Sequence, residues 1–516
     1  MANLSLFESI RGALAPVANA LNEEGAFAYQ RTPEGALALY AATGCLNGTF
    51  YATDEAQLAT VLMLAAQVSP DFVARTAVYA RETAHMKDMP ALLLATLSTR
   101  DPDLFAAAFP RVVTNGRMLR NVVQILRSGR VGRKSLGSRP KRLVQQWIAS
   151  ASTDALINAA IGQQPSLADV IRMVHPKPAD AEREALYAWI VGRPYREEAL
   201  PQKLRAYEAF KRDPSGELPD LPFQYYTSLP LTREHWTALA RNASWQTLRM
   251  GLNTFARNGV FEDAGVVAEV AARLRDPQAI GRARVFPYQL LMAFQAASTS
   301  MPAAITEALQ DAMEIATRRV PAIAGNVAIA VDTSGSMSSP VTGFRRGSTT
   351  AARCVDVAAL VAATLLRTNP QARVLPFDTE VRDVRLNPRD SVMTQARQLA
   401  ALCGGGTSVS APIARLNRDK AKLDLVVLVS DNESWRDTRG GATQTMREWA
   451  RLKARCPQAR LVCIDLQPYA TSQTVERGDV LHVGGFSDAV FDLLAGQVAG
   501  DASPARWVER IASIDL

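Results

Sequence analysis

Asp332-Thr333-Ser334-Gly335-Ser336 places a carboxylate and two hydroxyls at alternate positions, directly after the apolar run Asn326–Val331. In a loop, three side-chain oxygens at this spacing can converge on one hard cation. Mg²⁺ prefers oxygen ligands and keeps several waters, so two or three protein oxygens suffice. The remaining face stays open to an acidic group from a partner. The chemistry on offer is metal-assisted binding more than bond breaking.

A second chemistry lies earlier in the chain. No acidic residue occurs between Asp103 and Asp154, while Arg111, Arg117, Arg120, Arg127, Arg130, Arg133, Lys134, Arg139, Lys141 and Arg142 all fall in that interval. Such a segment attracts polyanions by releasing their counterions. Arg117, Arg120, Arg127 and Arg130 are spaced near helical turns and could share a face. The run Arg127–Arg142, with its glycines and serines, reads as a loop able to follow a phosphate backbone. Arg172, His175 and Lys177 form a smaller basic cluster, and Pro176 keeps His175 out of a helix interior. Arg282 and Arg284 are weaker basic candidates. Phe223, Tyr225, Tyr226, Trp236 and Trp245 could stack on bases, but their expected role is core packing.

The elements that must position these residues fall into two parts. Residues 1–322 read as short helices in series, at Gln57–Gln67, Phe72–Thr83, Ala91–Leu97 and Leu104–Val113, with Pro90 and Pro102 in first turns. This predicts a degenerate α-solenoid. From residue 323 to 516 the period changes. Strands are predicted at Val327–Val331, Ala372–Phe377, Leu425–Ser430 and Leu461–Leu466. Helices are predicted at Val355–Arg367, Val392–Leu402, Thr443–Arg455 and Asp488–Val498. Alternation of this kind implies a mainly parallel sheet covered on both faces. Ligands of such sheets bind at the carboxyl ends of strands, where Asp332 and Asp431 stand. Thr407 follows Gly404-Gly405-Gly406, a run that permits close backbone approach.

A chain of 516 residues, 48% hydrophobic, is long enough for two or three domains. Its net charge of +8 is mild for that length and implies no polyanion by itself. Five cysteines at irregular spacing fit free thiols in a reduced, cytoplasmic protein. The N-terminus shows no signal-peptide pattern, and no run is long and apolar enough for a membrane span.

Asp332, Ser334 and Ser336, then Thr407, then Asp431, in that order on three loops, resemble the metal-ion-dependent adhesion site of a von Willebrand factor A domain. The resemblance implies that these five residues hold a divalent cation, in that family usually Mg²⁺, directly or through water. In the helical part, Tyr79–Glu82, Met86–Ala95, Gly132–Gly137 and His175–Pro178 resemble a TROVE domain. The two in this order resemble the Ro autoantigen family in its bacterial form. That resemblance implies an all-α, HEAT-like repeat ring followed by an α/β, Rossmann-like A domain. It also implies binding of small noncoding Y RNAs and of single-stranded 3′ ends of misfolded RNAs, with exoribonuclease partners and no DNA or membrane. Arg117–Arg142, Arg172, His175 and Lys177 are the RNA-binding candidates it carries over.

Two other classes compete. Asp431, Asn432 and Glu433 could hold a metal for hydrolysis, but the sequence has no nucleophile elbow, no Walker lysine and no histidine cluster. A metal-dependent protein scaffold without RNA is the other alternative. The expectation is a non-enzymatic binding protein.

Overall fold

The computed structural model describes residues 15–44, 46–162, 165–283, 285, 287–297, 301–318, 320–344, 352–434, 441–485, 490–491, 494 and 507–516. The chain forms two compact units. The first comprises Met1–Val68, Val285–Met292 and Gln310–Ser513. The second comprises Ser69–Arg284, Ala293–Leu309 and Ile514–Leu516. The first 68 residues, read from the sequence as the start of the helical domain, therefore belong with the sheet-bearing unit.

In the sheet-bearing unit, β1 (Ala20–Leu21) and β2 (Phe27–Gln30) form a hairpin. A five-stranded sheet follows, built from β3 (Val327–Asp332), β4 (Arg373–Phe377), β5 (Leu425–Ser430), β6 (Arg460–Asp465) and β8 (Val480–Gly484). Between the last two, β7 (Thr471–Ser472) pairs with β2. The five strands are parallel, in the order β4-β3-β5-β6-β8. Every residue of β3 and β5 is buried. Strands covered on both faces need such uninterrupted apolar runs. The helix Cys354–Thr368 packs on β3 and β5, and Trp449, from Gln444–Arg455, is fully buried in the core with Leu428, Phe377 and Leu452. The chain leaves β3 toward β4 on one side and continues from β5 toward β6 on the other. The order thus reverses between β3 and β5, and the crevice above their carboxyl ends is where such sheets bind ligands.

The four predicted strands and three of the four helices predicted after residue 322 stand within a few residues of their expected places. The strand Val480–Gly484, the helix Ala411–Arg418 and the β1-β2-β7 sheet were not expected. The expected helix Asp488–Val498 lies largely outside the described residues. Four cysteines, Cys354, Cys403, Cys456 and Cys463, are free thiols.

The second unit is a succession of short helices, among them Pro70–Glu82, Asp88–Arg100, Pro102–Val112, Gly116–Arg127, Ser138–Ser150, Thr153–Ala160, Leu167–Val174 and Ala181–Val191. Their starts are written in the sequence. Ser69, Asp101, Asn115, Ser152 and Asp180 each accept a backbone N–H of the first turn. Each such cap contributes about 1 kcal/mol. No helix among the described residues is long and apolar enough to cross a membrane.

Gly116 shows how closely these helices approach. A Cβ built there would lie 2.1 Å from the Ala159 Cβ. Gly116→Val is therefore expected to destabilise this unit by roughly 1–3 kcal/mol, the cost of overpacking. Thermal denaturation checks it, and an unchanged transition would contradict the close contact.

A candidate metal centre and a basic helical face

Asp332 ends β3 and is fully buried. One carboxylate oxygen accepts the Ser334 N–H at 2.9 Å, and the other accepts the Ser430 hydroxyl. The Ser334 and Ser336 hydroxyl oxygens lie 3.3 Å apart, so the two converge as the spacing predicts. The glycine loop is zipped to this turn by its backbone. Gly404 donates to Thr333 O at 2.8 Å, and Gly335 donates to Gly405 O at 2.9 Å. Gly405 has φ +78°, a conformation costly for any other residue. Thr407 follows, buried. Asp378 anchors that loop, its carbonyl accepting the Ser408 N–H at 2.8 Å. Burial raises the Asp378 carboxyl, but hydrogen bonds from Arg382 and from the Glu380 amide outweigh it and hold it below the usual range.

Asp431 follows β5 and is buried, as are Asn432 and Glu433. Asn432 adopts φ +64°, and its amide donates to Asp465 at 3.0 Å and to Ser472 at 2.9 Å. These bonds turn the chain so that Asp431 and Glu433 enter the crevice. Burial pushes the Asp332 carboxyl up. Asp431 is raised by burial and then by the charge of Asp332. Glu433 is pushed up to about 9 by burial and then by Asp431. Asp431 Oδ2 and Glu433 Oε1 are buried without a hydrogen-bond partner. None of the three carboxylates makes an ion pair among the described residues.

Buried carboxylates without a counter-charge are expensive, and a bound cation is the usual compensation. The five residues Asp332, Ser334, Ser336, Thr407 and Asp431 fit a hard cation by this test. They are all oxygen donors, and an orphaned carboxylate oxygen stands among them. Among the described residues no cluster of three or more His, Cys, Asp or Glu side chains has metal-holding geometry; this set relies on hydroxyls as well.

The basic candidates divide into free and engaged groups. Arg117, Arg120 and Arg127 share one face of the helix Gly116–Arg127. Arg130 lies past its end, in the following loop, so it does not extend that face. Arg120 is half-buried against Gly162. Its guanidinium is pulled below its usual range by burial and then by the neighbouring charge of Arg117. Arg133 is engaged, with its guanidinium donating to Ser98 O at 2.6 Å and Leu136 O at 3.0 Å. Arg172 donates to Val191 O at 2.5 Å and to Asp169 at 3.3 Å. Arg139 pairs with Asp103 at 2.6 Å on the surface. Arg111 pairs with Glu82 at 2.5 Å. Arg117, Arg127, Arg130, Lys134, Lys141, Arg142 and Lys177 have no such partner among the described residues, and all but the half-buried Lys141 are exposed.

His175 caps the helix Leu167–Val174 in a left-handed conformation, φ +52°, and is exposed, as its proline neighbour implied. Of the aromatic candidates, Phe223 and Tyr225 are half-buried and the other three lie in the core. Tyr226 is fully buried, Trp236 and Trp245 nearly so, and Tyr225 donates to Ile157 O at 2.7 Å. Arg282 is exposed, and Arg284 lies outside the described residues.

Residues 326–497 match the family model of the Ro60 vWA domain. The A domain is of the Ro60 type. The RNA-binding protein RO60 of Deinococcus radiodurans is 26% identical over 531 aligned residues, which span 93% of this chain and 95% of that protein. The crystal structure of the Deinococcus radiodurans RO (RSR) protein shares the fold with a TM-score of 0.61 at 23% identity, over 91% of this chain and 100% of that one. The chain thus resembles Ro proteins over nearly its whole length, helical repeats and A domain alike.

Around the A domain's crevice, several residues were not anticipated from sequence. Glu433 was weighed only as a hydrolytic ligand. Asn22 donates its side-chain amide to Ser434 O at 2.7 Å, and the Glu23 N–H donates to Glu433 Oε2 at 3.0 Å. Burial, and then the charge of Asp431, raises the Tyr51 hydroxyl. No local signal marks these residues, because their partners are hundreds of positions away.

Proposed function

We propose that this chain is an RNA-binding protein of the Ro type, not an enzyme. Its helical unit meets structured RNA through phosphates, and its A domain docks a protein partner. The observation that carries this reading is the set of exposed, unpaired basic side chains in a stretch free of acids. Long similarity to a relative named as RNA-binding supports it. RNA helices present phosphates and 2′-hydroxyls, so recognition by such a face is largely blind to sequence. The RNAs we propose are small Y-like noncoding RNAs and the single-stranded 3′ ends of misfolded RNAs, in the cytoplasm.

In the A domain, Asp332, Ser334, Ser336, Thr407 and Asp431 would hold a divalent cation, with Mg²⁺ favoured by the all-oxygen set. The bound cation supplies a Lewis-acid point for a partner's carboxylate. An exoribonuclease is the partner class proposed. Crosslinking of co-purifying RNA tests the reading. Crosslinks should map to Arg117–Arg142 and to His175–Lys177. Crosslinks confined to residues 323–516, or none at all, would overturn it.

A further inference from the structure

The direction of Asp431 is set by its neighbour. Asn432 takes φ +64°, a left-handed conformation that L side chains rarely adopt. Its side chain must therefore be held, and every polar atom on it is. The amide nitrogen donates to Asp465 Oδ1 at 3.0 Å and to Ser472 Oγ at 2.9 Å, and Asn432 Oδ1 accepts the Gln473 N–H at 3.3 Å. All four residues are buried.

Both acceptors of that amide are held in turn by the N-terminal segment. Ser472 lies in β7, which pairs with β2 through Tyr29 opposite Ser472 and Gln30 opposite Thr471. Asp465 ends β6, and its Oδ2 accepts from Arg31, just after β2, at 2.8 Å. Arg31 is itself fixed, with Nε donating to Thr471 O at 3.2 Å and Nη1 in contact with His482 Nδ1 at 2.7 Å. The tip of the β1–β2 hairpin reaches the same loop directly, from Asn22 to Ser434 O and from the Glu23 N–H to Glu433 Oε2.

The Arg31 and Asp465 side chains are 8% and 2% exposed, and among the described residues no other ion pair has both partners below a tenth. A buried pair adds little net stability, because desolvation offsets the attraction. Its effect lies in what it positions, which here is the loop that carries Asp431.

We propose that Arg31 is a positioning residue of the cation site. Through Asp465 it fixes the Asn432 amide, and through Asn432 the direction in which Asp431 faces the cation. The segment Asn22–Arg31 is then part of the site, although it lies outside the stretch 326–497 that matches the A-domain model. The proposal rests on the cation reading given above.

Mn²⁺ is the probe. Its uptake by the full-length protein is read from the loss of the free-ion electron paramagnetic resonance signal, at a temperature where each form is folded. Arg31→Met is expected to bind Mn²⁺ roughly tenfold to a hundredfold more weakly than wild type, the usual effect of losing a residue that orients a metal ligand. Asn432→Gly keeps the left-handed backbone accessible but removes the amide, and should lose a similar factor. Arg31→Lys restores a cation opposite Asp465 and should fall between. Leu452→Ala is the control. It opens a cavity in the core of the same unit and lowers the unfolding temperature, but should bind Mn²⁺ as wild type does. Wild-type affinity in Arg31→Met would overturn the proposal and leave the cation reading standing. So would a loss in Leu452→Ala as large as in Arg31→Met, which would mark a general loosening of the unit. If Arg31→Met does not fold, Asn432→Gly decides, and wild-type affinity there overturns the proposal. If wild type takes up no Mn²⁺, the cation reading itself fails, and the proposal with it.

Discussion

Replacing Arg117, Arg127, Arg130, Lys134, Lys141 and Arg142 together by glutamine is expected to lower affinity for a structured RNA by roughly a hundredfold or more at physiological salt. The argument is electrostatic. Each cation that meets a phosphate releases a condensed counterion. About six such contacts cost wild type roughly a thousandfold in affinity between 50 and 200 mM salt. The variant should lose most of that salt dependence, since each removed contact takes about one unit from the logarithmic slope. These six residues stand without an ion pair among the described residues, so removing them leaves few internal bonds broken. Arg133→Gln and Arg172→Gln make the contrast. Both guanidiniums hold backbone carbonyls. Their loss should lower thermal stability, by about 1 kcal/mol or more for each charged hydrogen bond, and leave the salt slope nearly intact. Filter binding over a salt series decides the matter. A six-residue variant with the slope of wild type would show that RNA, if bound, is held elsewhere.

That contrast also shows how far the sequence could be read. The acid-free interval was visible at once, because counting acids needs no structure. Which of its cations are free was not visible. Arg133 is engaged by main-chain carbonyls alone, which no scan for acidic partners finds, and Arg172 donates to the Val191 carbonyl besides its pair with Asp169. The metal loops were legible for a local reason. Asp332, Ser334 and Ser336 lie within five residues, and the strands before Asp332 and Asp431 are uninterrupted apolar runs. Strand β8, Val480–Gly484, escaped because its short run is broken by His482, which the fold buries against Arg31 and Thr474. The hairpin over the crevice was hidden for a stronger reason. The residues joined by the Glu23–Glu433 contact are 410 positions apart in the chain. Only the folded chain brings them together, which is also why the first residues group with the A domain and not with the helices that follow them.

Mg²⁺ is expected to raise the unfolding temperature of the A-domain unit by roughly 5 °C at pH 8, and to have little effect near pH 5. The metal-free crevice is the reason. Asp332, Asp431 and Glu433 are all raised above their ordinary values, by burial first, with Glu433 reaching about 9. A carboxyl raised in the folded state binds its proton more tightly there than in the unfolded chain. Its contribution to stability is complete below about pH 4, near the unfolded value, and is lost as pH rises through the folded one. The metal-free protein should therefore weaken steadily between about pH 5 and pH 9. A cation reverses this by replacing the protons. At a hundredfold excess over its dissociation constant it adds about 2.7 kcal/mol, which for a unit of this size is several degrees. Near pH 5 protons hold the same oxygens, so the cation gains little. Asp431→Asn separates cause from coincidence. It removes one of the repelling charges, so the variant should be more stable than metal-free wild type at pH 8 and should not respond to Mg²⁺. Calorimetry with and without a chelator reads both effects. A wild-type transition indifferent to Mg²⁺ at pH 8, or an Asp431→Asn variant that still responds, would remove the cation from the crevice.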